Sequence, residues 1–523
     1  MRRVLLILWL LLMPLMAHAG VDDALSALAG ANIDEVRAGV DTLTLSGDPR
    51  TAAILGAMQA GKLYARADRA LFIKDADGRY VDARTAQPAE PGSVRPVRVN
   101  NAVRRAVDAA LGALRLFAPD APTRALAADA VFRSREPAGM PALDRAIAQE
   151  GDAGVKKTME QARASALLAE GHASEPDRLA AVATLRGRGD IDARALLSTL
   201  TDQPPAVNDA AAAAVKSIDF SLQIWSVLQG VYYGLSLGSV LLLAAIGLAI
   251  TFGVMGVINM AHGEMVMLGA YTTFMVQEVI RNHAPNLFGA SLFFAIPLAF
   301  LVSGGVGVII ERGLIRFLYG RPLETLLATW GLSLVLQQAV RSLFGPSNRE
   351  VGTPQWMSGS LQLGGLALTY NRLYIILFSL LVLAALVAAL RYTSLGLRMR
   401  AVTQNRRMAA AMGIRTPWID AATFGLGSGV AGMAGVALSQ IDNVSPNLGQ
   451  GYIIDSFMVV VFGGVGNLWG TAISALTLGI VNKFLEPIAG AVLAKILVLV
   501  LLILFIQRKP RGLFPLKGRS VEA

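Results

Sequence analysis

The chain has 523 residues, 54% of them hydrophobic and 16% charged, with a mean hydropathy of +0.52 and a formal charge of +10. That balance is far from a soluble average, and because the Lys and Arg clusters flank apolar stretches, where they mark topology, the charge does not argue for nucleic acid. With no cysteine and only four histidines, at positions 18, 172, 262 and 283, the chain offers no disulfide, no thiolate site and no obvious metal centre, and no cofactor is expected.

Residues 1–20 read as an export signal: Arg2 and Arg3 precede the apolar run Val4 to Leu15, and Ala17 and Ala19 offer small residues around a cleavage site. Cleaved or kept as an anchor, it places residues 21–215 outside the cytoplasm, as a soluble, Ala-rich α-helical domain. Three stretches, 38–58, 143–162 and 180–200, share one punctuation of apolar helix, Gly-Asp turn and second helix, the mark of a repeat-like stack of helix pairs. Residues 71–84, LFIKDADGRYVDAR, break that period; Asp75, Asp77 and Gly78 resemble part of a calcium loop, but the other acidic ligands are missing and a hairpin turn is expected. Residues 92–99 read as extended, and the Pro-Pro step at 204–205 followed by alanines to Ala214 as the boundary before the membrane region, 216–515, with 516–523 as a cytoplasmic tail.

A bilayer crossing takes roughly 20 apolar residues. The candidates are 222–250, 263–280, 288–310, 323–343, 371–390, 419–439, 452–469, 471–485 and 488–506, nine in all, within a range of eight to ten because the first is long and the eighth is interrupted by Lys483 and Glu486. With the N-terminal domain outside, nine crossings put the basic segments 311–321, 391–415 and 507–519 in the cytoplasm, as the positive-inside bias requires. The fold class is therefore an all-α polytopic membrane helix bundle behind an exported helical domain.

The most unusual chemistry lies between Thr251 and Met265, where Asn259, His262 and Glu264 fall in apolar surroundings beside Gly253, Gly256 and Gly263. Polar groups at membrane depth must face protein or a water-filled path, and the glycines allow a helix break whose backbone groups greet a polar solute. Two readings stand: a lining of a translocation path, or an interhelical polar knot with small residues for close packing, the second being favoured for His262. A metal site on His262 and Glu264 is set aside, since a spacing of two puts them on different helix faces.

The glycines at 425, 427, 429, 432 and 435 lack the Lys-Ser or Lys-Thr of a phosphate loop and suit close helix packing instead. Ser394 to Gly413 reads as a short helix with Ala, Met and Ile on one face and Arg398, Arg400, Arg406 and Arg407 on the other. It either enters a groove of a motor protein or merely fixes topology and touches lipid phosphates.

Four blocks in order, residues 230–271 with GVMGVINMAHGEM, SLGLRMRAVTQNRRMAAAMGI, VVVFGGVGNLWGTAISALTLGI and RKPRGLF, resemble the permease subunits of the branched-chain amino acid type of ABC importer. The resemblance spans 222–515 and implies a second homologous permease, two cytoplasmic ATPases, a periplasmic substrate-binding protein, and a coupling segment at 394–413 carrying Arg398, Arg400, Asn405, Arg406, Arg407 and Gly413. A long exported domain is absent from ordinary members and is the pattern of the family's urea-importer permeases, which implies urea or a similar short amide as cargo in the bacterial inner membrane. Rival classes are a proton-coupled transporter using Glu264, Asp420, Asp455 and Glu486, and a passive channel. No nucleophile with a base points to an enzyme.

Overall fold

The computed structural model describes residues 21–514 apart from 31, 47, 76, 77, 171, 172, 201 and 202; the expected signal at 1–20, the tail at 516–523, His18, His172 and Asp77 lie outside the described residues. Two compact units divide between Gln223 and Ile224.

The N-terminal unit holds two apolar cores. The second, helical core includes Phe132, Leu143, Met159, Leu185 and Leu196, and here the Gly-Asp punctuation has a plain physical meaning. Gly189 takes a left-handed φ of 68° and ends the helix Glu175–Arg188 by donating to Leu185 O, and Asp190 then accepts from Ala193 N at 2.8 Å to start Ile191–Ser198. Asp152 starts Ala153–Ala169 in the same way, accepting from Gly154 N and Val155 N. Arg188 is the polar anchor of this core: it stacks over Phe132 and reaches Asp129 at 2.7 Å and Asp190 at 2.6 Å. The first core departs from the all-helical expectation by adding four short antiparallel strands, Leu63–Ala65, Leu71–Lys74, Tyr80–Asp82 and Arg95–Pro96, of which the second and third form the expected hairpin around left-handed Gly78.

The membrane unit is built from α1 (Pro205–Met255, whose later part belongs here), α2 (His262–His283), α3 (Ser291–Gly313), α4 (Pro322–Phe344), α5 (Tyr370–Tyr392), α6 (Ser394–Gln404), α7 (Arg406–Ala411), α8 (Thr416–Leu438), α9 (Leu448–Gly463) and α10 (Leu468–Arg508). Five helical stretches, including α1, α3, α5, α8 and α10, are long and apolar enough to cross a bilayer on length and composition. A helix of 23 residues such as α5 is about 34 Å long, enough for the hydrocarbon core. The expected span at 452–469 is corrected: α9 has 16 residues and stops at Gly463, because Gly464 and Gly466 adopt left-handed φ values of 100° and 81°. The next two expected spans, 471–485 and 488–506, follow one another along α10 as two helical segments broken at Gly490, whose φ of 77° and ψ of 160° are non-helical, three residues after Pro487. The alanines before 215 are also helix rather than linker, since Pro205 stands at the start of α1.

α8 is central. Its Gly432 faces Ala299 O and Ser303 of α3, its Gly435 faces Val266 O of α2, and its Gly427 faces Gly247 O of α1, so a methyl group at any of the three would strike a neighbouring helix. In a bilayer, where burying apolar surface gives no drive to associate, such backbone approach supplies the packing energy.

Candidate translocation path and coupling segment

The helix break expected from the glycines is present. α1 ends at Met255, Gly256 turns left-handed at φ 70°, and residues 256–261 are non-helical until α2 begins at His262. Gly253 approaches Gly466 so closely that a Cβ would lie 2.7 Å from its Cα. Asn259 is buried, and its side-chain oxygen accepts from Ala261 N at 3.0 Å, which closes the turn. The two buried groups that follow part company. His262 directs Nε2 to Ala244 O of α1 at 2.9 Å, whereas Glu264 faces α4, its Oε1 accepting from Ser333 Oγ at 2.9 Å and Gln337 Nε2 at 2.7 Å.

Sequence reasoning placed α4, as the expected span 323–343, but missed its polar stripe. Thr325, Thr329, Ser333 and Gln337 recur every fourth residue of the helix and are all buried. That period puts them on one stripe. Thr329 Oγ1 accepts from Met260 N at 3.1 Å, so the stripe holds first the broken segment and then Glu264. The signal was available as the spacing of four polar residues. These groups make an uncharged, hydrogen-bonding seam beside the one carboxylate, whose Oε2 has no hydrogen-bond partner.

The basic segment differs from the single helix expected. Asn405 takes an extended conformation, φ −153° and ψ 102°, and its side chain accepts from Met408 N at 2.9 Å, so it ends α6 and caps α7. Gly413, left-handed at φ 86°, closes α7 with Gly413 N donating to Ala410 O and Ile414 N to Ala409 O. Arg398, Arg400 and Arg407 are exposed, as are Leu397, Met408 and Met412.

Arg406 is exposed like the other three arginines but is also tied inward. Its guanidinium forms an ion pair with Asp420, whose side chain is 0% exposed at the start of α8, and lies 4.9 Å from the Tyr319 ring centroid. Tyr319 donates to Glu311 Oε1 of α3 at 2.8 Å, and Arg312 beside it stacks over Trp418 at 4.2 Å. The second half of the basic segment is therefore bonded to the ends of the two helices that pack most closely in the bundle. A buried carboxylate stripped of its cation is costly, which makes this joint stiff.

Two other sequence blocks meet as well. Leu513 N and Phe514 N donate to Phe462 O and Gly463 O, and Asn467 Nδ2 donates to Phe514 O at 3.1 Å, so RKPRGLF docks on the glycine turn after α9. Between that turn, α1, α5 and α6 lies a cavity of about 600 Å³ that both Gly253 and Arg400 line.

A helical bundle with a broken first crossing, a glycine-packed central helix and a short basic helix pair tied to its end suits a membrane transport protein. The family described as "Branched-chain amino acid transport system / permease component" matches residues 230–506, and the chain belongs to it. The permease protein LivH of Salmonella typhimurium is 30% identical over 300 residues, 56% of this chain and 97% of that protein. BraD of Pseudomonas aeruginosa is 29% identical over 298 residues, 56% of this chain and 96% of its own length, and LivH of Escherichia coli K12 is 30% identical over 300 residues. No solved structure matches the chain. This is an inner-membrane, multi-pass ABC-transporter permease.

Proposed function

We propose that the chain forms the translocation path for urea or a similar short amide, in an importer with a second homologous permease, two cytoplasmic ATPases and a periplasmic binding protein. The observation that carries the ATP-driven mechanism is the Arg406–Asp420 joint: a push on α6 and α7 reaches α8 directly, and α8 is in backbone contact with α1, α2 and α3. Alternating access needs such a rigid transmission between two packings of the bundle. A chain of proton-relay groups is disfavoured because three of the four carboxylates, Asp420, Asp455 and Glu486, are each engaged by a cation, Arg406, Lys495 and Lys483, on separate parts of the unit, which leaves Glu264 alone without one among the described residues.

The amide cargo is supported by two features. The matched relatives account for 56% of the chain and the family match begins at residue 230, so a whole N-terminal unit stands outside the branched-chain architecture, as in urea-importer permeases of the UrtB type. The seam of Asn259, Thr329, Ser333 and Gln337 also offers donors and acceptors suited to a small neutral solute. Branched-chain amino acids are the second reading, on the names of the relatives.

Uptake of labelled urea and labelled leucine into vesicles holding the chain with its co-expressed partners separates the two cargoes. Blocking ATP hydrolysis should abolish transport while collapsing the proton gradient should not; the reverse result would establish a secondary transporter. Asp420→Asn should reduce uptake at least about tenfold while ATP hydrolysis continues, since the joint and not the motor is broken. Because the natural chain has no cysteine, a single cysteine at position 407 reports orientation: labelling from the periplasmic side would sink the cytoplasmic placement of the segment.

A further inference from the structure

The cavity beside α6 has a composition that neither the transmission joint nor the helix break explains. Its polar wall carries Arg391 from the end of α5 and Arg400 from α6, and no Asp or Glu lines it. Neither guanidinium has an ion-pair partner among the described residues, in contrast to Arg406 two turns away. Two unneutralised cations facing one hollow attract an anion, and the fixed forks of arginine suit phosphate oxygens.

The other walls are apolar: Ile250 and Val254 of α1, Val387 and Leu390 of α5, and Leu468 and Trp469 at the start of α10. Trp469 is 63% exposed, and Ile473, one turn on, is exposed on the same face. α5 presents Leu377, Leu380 and Leu381 outward. The hollow therefore has a cationic head and apolar flanks, at the end of a helix whose outer surface suits hydrocarbon. A free anion would use only the first of these features, whereas a phospholipid uses both.

We propose that this cavity binds the headgroup of an anionic phospholipid, with Arg391 and Arg400 on the phosphate and an acyl chain against Trp469 and α5. One wall of the site is α6, so an occupied site braces the basic segment against the bundle and makes transmission sensitive to anionic lipid. The proposal rests on reading 391–415 as a transmission segment but not on the cargo or on which face is cytoplasmic, because a nanodisc exposes both faces.

The test is fluorescence quenching of the full chain in phosphatidylcholine nanodiscs titrated with brominated phosphatidylglycerol, the Trp469 signal being the difference between wild type and Trp469→Phe. Quenching should saturate at low mole fraction with the brominated anionic lipid and stay linear with brominated phosphatidylcholine. Arg391→Gln with Arg400→Gln should raise the half-saturating fraction roughly tenfold or more. Should that double variant not fold, Arg400→Gln alone should raise it roughly fivefold, and Arg391→Lys with Arg400→Lys should retain saturation. Equal quenching by both lipids, or indifference to the Gln substitutions, would overturn the proposal. Displacement by millimolar inorganic phosphate would reassign the site to a free anion, and quenching by neither lipid would mean a protein surface covers it; either result rejects the lipid.

Discussion

In the N-terminal unit, five helices begin at Asn100, Asp120, Asp152, Ser174 and Asp190, each accepting a backbone N–H, while Thr51–Gln59 and Met140–Gln149 start without such a cap; in the membrane unit the uncapped start is the commoner one, at α2, α3, α4, α5, α8 and α9. The membrane unit uses side-chain caps at Thr393, Asn405 and Asn467, which start α6, α7 and α10 around the basic segment and the glycine turn. The difference follows the surroundings. Short helices reversing in water leave several N–H groups to satisfy at each turn, and Asp, Asn and Ser do so locally. A crossing helix runs on until it reaches headgroups and water, and its end needs less help. The capped ends in the membrane unit therefore mark where the chain must turn tightly.

Packing divides the units in the same way. Gly56 and Gly112 in helices of the N-terminal unit have nothing within 4 Å of a built Cβ, Gly39 being the helical glycine there that does meet backbone, at Ala24 O, and the cores are made largely by Leu, Met, Phe, Val and Ala. In the membrane unit Gly269 meets Gly432, Gly263 meets Gly449 and Gly463 meets Gly470, backbone to backbone. Water drives large side chains together, while lipid leaves close contact between backbones as the gain.

The sharpest way to break this contrast is Gly432→Leu beside Gly112→Leu. The first should remove folded protein from the membrane fraction, because α3 and α2 would have to separate; the second should leave yield unchanged, and equal loss for both would refute the packing distinction. Next in size, Arg188→Ala should cost the helical core about 3 kcal/mol by leaving Asp190 without its cation, Asp129 with only the exposed Arg133, and Phe132 uncovered, visible as faster proteolysis within residues 121–200 of the full chain. Asp152→Ala should cost about 1 kcal/mol by the same assay through loss of one cap. The smallest effect is a gain: Gly112→Ala, in open space within the helix Asn101–Arg115, should slow proteolysis by an amount equivalent to about 0.5–1 kcal/mol.

Much of the candidate site was legible along the chain. Gly256, Asn259, His262 and Glu264 pointed to a helix break because glycines beside polar residues interrupt an apolar run, though the same residues also suited a packing knot. Their partners were harder to see, since Ser333 and Gln337 lie about 70 residues away and polar spacing on a helix does not say which neighbour it faces. Arg406 and Arg407 are adjacent, chemically identical and both exposed, yet only the first is paired with the buried Asp420.

By itself the sequence determined the two-part composition, the helical periods, the Gly-Asp turns, the break after α1 and the family, because each rests on local pattern or on ordered motifs. Tertiary structure alone decided that α9 stops short, that RKPRGLF docks on the turn after Gly463, that a stripe on α4 holds Glu264, and that Arg406 locks the basic segment to α8. Those are pairings between distant segments, and in a bilayer they are chosen by shape and by the need to satisfy every buried polar group, which a one-dimensional pattern does not specify.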